Sequence, residues 1–94
     1  MNIEELFEKY EDEFLNYRVD PSLEKIRKDF TIFKMLNDKF PSHKDLISGS
    51  GHEEIFLDVD PKELLSVFTE EEIVKMIRCG LRFSSEYDCL CMYV

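Results

Sequence analysis

The chain is expected to fold as an α+β domain of two layers, with helices packed on one face of a small sheet. Three observations carry that expectation. The first forty residues show apolar positions at helical spacing. Residues 54–59 switch to strand-like alternation, and the end of the chain reads as a hairpin with a turn between two apolar runs. Ninety-four residues are enough for one domain, taken here as residues 1–94, but not for two.

The first helix is expected over about Ile3 to Tyr17. Asn2 serves as its cap, and Glu5, three residues on, makes a box-like pair. Ile3, Leu6, Phe7, Tyr10, Phe14 and Tyr17 share one face, and Glu4, Glu5, Glu8, Glu11 and Asp12 the other. Leu15 projects into that acidic sector. The second helix is expected from Asp20-Pro21, a cap followed by a proline suited to the first helical position, to about Asp38. Its buried stripe reads as Leu23, Ile26, Phe30, Phe33 and Leu36, with Ile32 and Met35 outside it. Pro41 stops the helix, and residues 41–52 read as a loop because Ser48-Gly49-Ser50-Gly51 punctuates the chain.

Glu54 to Val59 reads as a strand whose Ile55, Leu57 and Val59 face the core. Asp60-Pro61 opens a short helix to about Val67. Thr69 and Glu72 form a capping box for another, from Glu70 to about Cys79, which Gly80 stops. Leu81 to Phe83 and Cys89 to Val94 complete a hairpin around Ser84–Asp88. The expected order is therefore α-α-β-α-α-β-β with three strands.

Composition narrows the function. Twelve basic residues against twenty-one acidic ones leave a formal net charge of −9, with 44% hydrophobic residues. So apolar a chain is not a disordered acidic tail. So acidic a chain does not meet a phosphate backbone directly. No apolar run is long enough to span a membrane, and the acidic N-terminus lacks a signal-peptide core. Three cysteines, Cys79, Cys89 and Cys91, do not read as a disulfide framework, which points to a reducing, cytoplasmic setting.

The motifs of common chemistry are missing. There is no phosphate loop, no dinucleotide fingerprint and no zinc-protease helix. Gly49-Ser50-Gly51-His52 precedes a strand, whereas a nucleophile elbow follows one. Cys89 and Cys91 lie two apart on one strand face but lack a second short-spaced pair for zinc, so they read as packing. Asp58-Val59-Asp60 opens like a calcium loop but fails at the later positions, occupied by Lys62, Glu63 and Thr69. No enzyme, cofactor or metal is expected.

The acids are unevenly placed. Residues 1–20 carry seven acids and two bases, residues 21–50 four and six, and residues 51–94 ten and four. Glu4, Glu5, Glu70, Glu71 and Glu72 have a local cause, since first helical turns favour negative charge. For the rest, helix neighbours four apart lie about 6 Å apart at Cβ. That is close to the spacing of successive phosphates on one DNA strand. Glu4, Glu8, Glu11 and Asp12 can therefore imitate a stretch of phosphate backbone, and Glu53, Glu54 and Glu86 form a second, C-terminal set of candidate partner-binding residues.

In size, charge and lack of enzyme motifs the chain resembles the small inhibitors encoded by bacteriophages, of the anti-CRISPR and anti-restriction type. The stretch from Arg78-Cys79-Gly80-Leu81-Arg82-Phe83 to Cys91-Met92-Tyr93-Val94 also looks like uncharacterised phage proteins. The resemblance implies a non-enzymatic, monomeric or small homo-oligomeric protein in a host cytoplasm. Its partner would be a defence protein with a basic nucleic-acid-binding surface. The alternative is an adaptor or self-assembling module that uses exposed apolar residues such as Leu15, Ile32 and Phe56.

Overall fold

The structure is a computed structural model that describes residues 2–13 and 26–93. Its elements are α1 (Ile3–Lys9), α2 (Lys28–Lys39), β1 (Ile47–Gly51), β2 (Glu54–Leu57), a 3-10 turn (Pro61–Glu63), α3 (Leu64–Val67), α4 (Glu70–Arg78), β3 (Arg82–Ser84) and β4 (Cys89–Tyr93). The fold is α+β, but the sheet has four strands rather than three, in the order β1-β2-β4-β3 with every neighbour antiparallel.

The added strand is β1, which falls in the segment expected to be loop. It pairs with β2 through Gly49↔Phe56, Ser50↔Ile55 and Gly51↔Glu54, leaving His52-Glu53 as a two-residue turn. A Ser-Gly run has poor strand propensity. Pairing holds it because Phe56 lies over the glycines. A Cβ placed at Gly49 or Gly51 would meet the Phe56 ring at 3.8 or 3.5 Å, so the aromatic ring covers backbone that glycine leaves bare. Glu53 turns the corner at φ 62°, a left-handed conformation unusual for a non-glycine residue.

The C-terminal half follows its local signals closely. Asp60 caps the 3-10 turn by accepting from the Lys62 N–H, and Thr69 and Glu72 form the reciprocal capping box of α4. Gly80, at φ 113°, ends α4 in a Schellman motif: Leu81 N–H donates to the Met76 carbonyl and Gly80 N–H to that of Ile77. Leu81 and Met76 are both fully buried, supplying the apolar contact of that motif. β3 and β4 then close through Arg82↔Cys91, Phe83↔Leu90 and Ser84↔Cys89.

The N-terminal half departs further from expectation. Asn2 caps α1 as expected, its Oδ1 accepting from Glu5 N–H at 2.8 Å, but the helix ends at Lys9 rather than Tyr17. Beyond it, Phe14, Leu15 and Tyr17 lie outside the described residues, as do the Asp20-Pro21 start and Leu23 of the second helix. α2 is described from Lys28, with Arg27 at its N-cap and no side-chain cap. Its buried side is Ile32 and Leu36, both at 0% exposure, flanked by Phe33, Met35 and Phe40, whereas Phe30 is 61% exposed and Ile26 36%. The expected stripe is thus rotated about the helix axis. Ile26 lies before the helix, and the phase within it is set by the Ile32–Leu36–Phe40 spacing.

The core lies between the helices and one sheet face. Ile3, Leu6 and Phe7 of α1, Ile32 and Leu36 of α2 and Ile73, Met76 and Ile77 of α4 meet Leu57 of β2 and Leu90 and Met92 of β4. Leu57 and Val59 are buried as expected, and Ile55 is half-buried against the same cluster. Among the described residues no helix is long and apolar enough to cross a membrane.

Candidate functional site

α1 is pinned at its C-terminal end to α4. The Tyr10 hydroxyl donates to Glu70 Oε1, Lys9 Nζ lies 3.4 Å from the same oxygen, and Arg78 Nε donates to Glu13 Oε2 at 2.9 Å. The Tyr10 hydrogen bond, then Lys9, holds the Glu70 carboxyl below the usual carboxylate range, and Tyr10 followed by Glu70 raises the Lys9 ammonium above its usual value. The two bases at this end, Lys9 and Arg78, are therefore engaged by Glu70 and Glu13.

Four N-terminal acids line a groove. Between α1 and the β3 edge lies a cavity of about 540 Å³. Glu4, Glu8, Glu11 and Asp12 form one wall, and Arg82, Ser85 and Tyr93 the other. The floor is carbon, supplied by Phe7, Ile77, Leu81, Phe83 and Met92. None of the four carboxylates makes an ion pair with a described residue. Among the described lining residues Arg82 is the one cation, and its guanidinium sits 4.3 Å from the centre of the Tyr93 ring. The charge of the groove is therefore strongly negative.

The structure thus gathers the four N-terminal candidates around one groove, but only Glu4 and Glu8 lie on α1, Glu11 and Asp12 falling in the turn after its end at Lys9, and it leaves the three C-terminal candidates apart. Glu53 occupies the β1–β2 turn and Glu86 the β3–β4 turn, at opposite ends of the sheet, because Glu54 pairs with Tyr93 and Leu57 with Leu90. Glu54 is half-buried on the sheet face away from the helices. There it takes a hydrogen bond from the Cys91 thiol. Burial first, then that carboxylate, pushes the Cys91 thiol up to about 12, and burial with Glu54 and Asp88 raises Cys89 as well. Neither thiol is in a disulfide, and the raised values favour the protonated form of both. Among the described residues no group of three or more His, Cys, Asp or Glu side chains could hold a metal ion.

The floor and the second wall of the groove were not singled out from the sequence. A signal for one pair did exist. Once residues 84–88 are read as a hairpin turn, Arg82 falls opposite Cys91, two residues from Tyr93 on the same face. That diagonal brings the guanidinium over the ring. Comparison with protein-family models, curated proteins and solved structures finds no match for this chain.

Proposed function

We propose that the protein is a non-enzymatic binding protein of the acidic, phage-inhibitor kind. It blocks a nucleic-acid-binding host defence protein by setting carboxylates where that partner otherwise holds phosphates. The observation that carries this reading is the placement of Glu4, Glu8, Glu11 and Asp12 along one wall of a groove, with no ion pair to any described residue. Carboxylates set along one wall repel one another, a cost that a basic partner relieves. Glu53 and Glu86 are exposed at the sheet ends and add to the negative field that steers such a partner. The adaptor alternative keeps less support, because Ile32 is in the core and Phe56 is half-buried between the β1 glycines and Tyr87.

The test is capture from host extract by the parent and by the quadruple amide variant Glu4→Gln, Glu8→Gln, Glu11→Gln, Asp12→Asn. The parent should retain a protein at about 50 mM salt and release it near 500 mM, where screening shrinks to a few ångströms. The captured protein should bind nucleic acid, and the parent, but not the variant, should displace that nucleic acid from it. A captured protein that binds parent and variant equally at both salt concentrations refutes the reading.

A further inference from the structure

A surface that only imitated phosphates would need charge alone. This groove also has a carbon floor, and its volume falls within the roughly 300–1,000 Å³ of sites that enclose a ligand group. Two geometric facts narrow the occupant. On α1 the wall runs from Glu4 to Glu8, about 6 Å at 1.5 Å of rise per residue, and Glu11 and Asp12 line the same groove beyond the helix end at Lys9. Among the described residues no three of these acids come together in a way that could hold a metal ion. The α1 part alone matches about two residues of extended peptide at about 3.3 Å each, and Glu11 and Asp12 lengthen the wall beyond it. The floor of Phe7, Leu81, Phe83 and Met92 offers no hydrogen-bond partner for a cationic head, but it suits an aliphatic or aromatic side chain.

We propose that the groove receives a short extended segment of a protein partner in which Arg or Lys alternates with apolar residues. The apolar side chains seat on the floor beside Phe83, and the cationic heads reach Glu4, Glu8, Glu11 and Asp12. The proposal rests on the acidic-surface reading above and adds the partner's chemistry to it. A second copy of this chain is a poor occupant, since each copy carries a formal charge of −9. Tyr93, 61% exposed, extends the second wall, and its ring is already stacked by Arg82. The incoming cations are therefore drawn to the α1 side.

The test uses the full chain and two fluorescent peptides of equal length and charge, one alternating Arg with Leu, the other Arg with Gly. Binding is read by anisotropy at about 50 and about 500 mM salt. The parent should bind the Arg–Leu peptide about tenfold or more tighter than the Arg–Gly peptide, because seating even one leucine is worth that much. Phe83→Ala should bring the two peptides to within about twofold of each other. In case that variant folds poorly, Ser85→Arg, at an exposed lining position, should weaken both peptides without touching the core. The quadruple amide variant should weaken both.

Equal binding of the two peptides to the parent overturns the proposal while leaving the acidic-surface reading intact. Failure of both peptides to bind, or undiminished binding by the amide variant, overturns both. A parent that elutes as a dimer and becomes monomeric with Ser85→Arg assigns the groove to a second copy and overturns the proposal.

Discussion

The rotation of α2 is open to a direct energetic test, because it reverses the roles of two neighbouring residues. Ile32 is at 0% exposure and Phe30 at 61%. Ile32→Ala removes three carbons from a closed site, about 2.4 kcal/mol of transfer free energy at about 0.8 kcal/mol per methylene. The cavity left behind adds to this, bringing the cost to about 3–4 kcal/mol. Phe30→Ala removes a ring that keeps only the remaining 39% of its surface from water. That is about 80 Å² of a residue that buries roughly 200 Å² when enclosed. At about 25 cal/mol per Å², and with alanine still covering part of it, the cost is about 1 kcal/mol with no cavity. For a domain of this size each kcal/mol moves Tm by about 4–8 °C. Ile32→Ala should therefore melt about 12–32 °C below the parent, and Phe30→Ala within about 8 °C of it. The chain has no tryptophan, so far-UV circular dichroism during thermal and urea unfolding is the suitable readout. A Phe30→Ala loss equal to that of Ile32→Ala would refute the observed phase of α2 and restore the stripe expected from sequence.

Other perturbations follow from particular residues. Gly80→Ala forces a side chain into φ 113° and should cost about 1–2 kcal/mol by urea denaturation, although nothing lies within 4 Å of the added carbon. Glu53→Gly should raise stability by up to about 1 kcal/mol by relieving the left-handed turn position, with no effect on the α1 wall. Native protein at about pH 8 should react only slowly with a thiol reagent at Cys89 and Cys91, and denatured protein rapidly at all three cysteines. Because the folded Cys91 thiol is raised to about 12, its contribution to stability is complete below its unfolded value near 9.0 and declines as pH rises above that. The Glu70 carboxyl, held low by Tyr10, acts in the opposite direction. It stabilises above its unfolded value of 4.5 and ceases to as pH falls, so Tyr10→Phe should flatten the acid limb of the stability curve.

What could be read from the sequence was what has a local cause. The capping box at Thr69 and Glu72, the Gly80 stop and the Asp60 cap each rest on side chains a few residues apart, and all three are found in place. The end of α1 had no such mark. No glycine or proline immediately follows Lys9, and the chain leaves the helix at Tyr10, whose hydroxyl is tied to Glu70, sixty residues away. β1 was hidden for a related reason, since its glycines form a strand only beneath the ring of Phe56. α2 carried too much information rather than too little. Phe30, Ile32, Phe33, Met35 and Leu36 cover most of its circumference, and only the true start of the helix selects among the stripes. The acidic wall was legible because Glu4, Glu8, Glu11 and Asp12 share one side of a single short segment. Its floor was not, because it is assembled from α1, α4 and both strands of the last hairpin.

The strand order has a bearing on how the chain is made. β4 lies inside the sheet, between β2 and β3, yet it follows both of them in the polypeptide. During synthesis, at about 5–20 residues per second, the β1–β2 hairpin and α4 can form while β3 still has no neighbour to bond with. Until residues 89–93 emerge, one edge of β2 and the whole of β3 present unsatisfied backbone, and Leu57 lacks the Leu90 opposite it. The nascent chain thus passes through an interval in which two open strand edges can meet those of other nascent copies. Insertion of β4 closes both at once and leaves the outer sides of β1 and β3 as the edges of the four-stranded sheet.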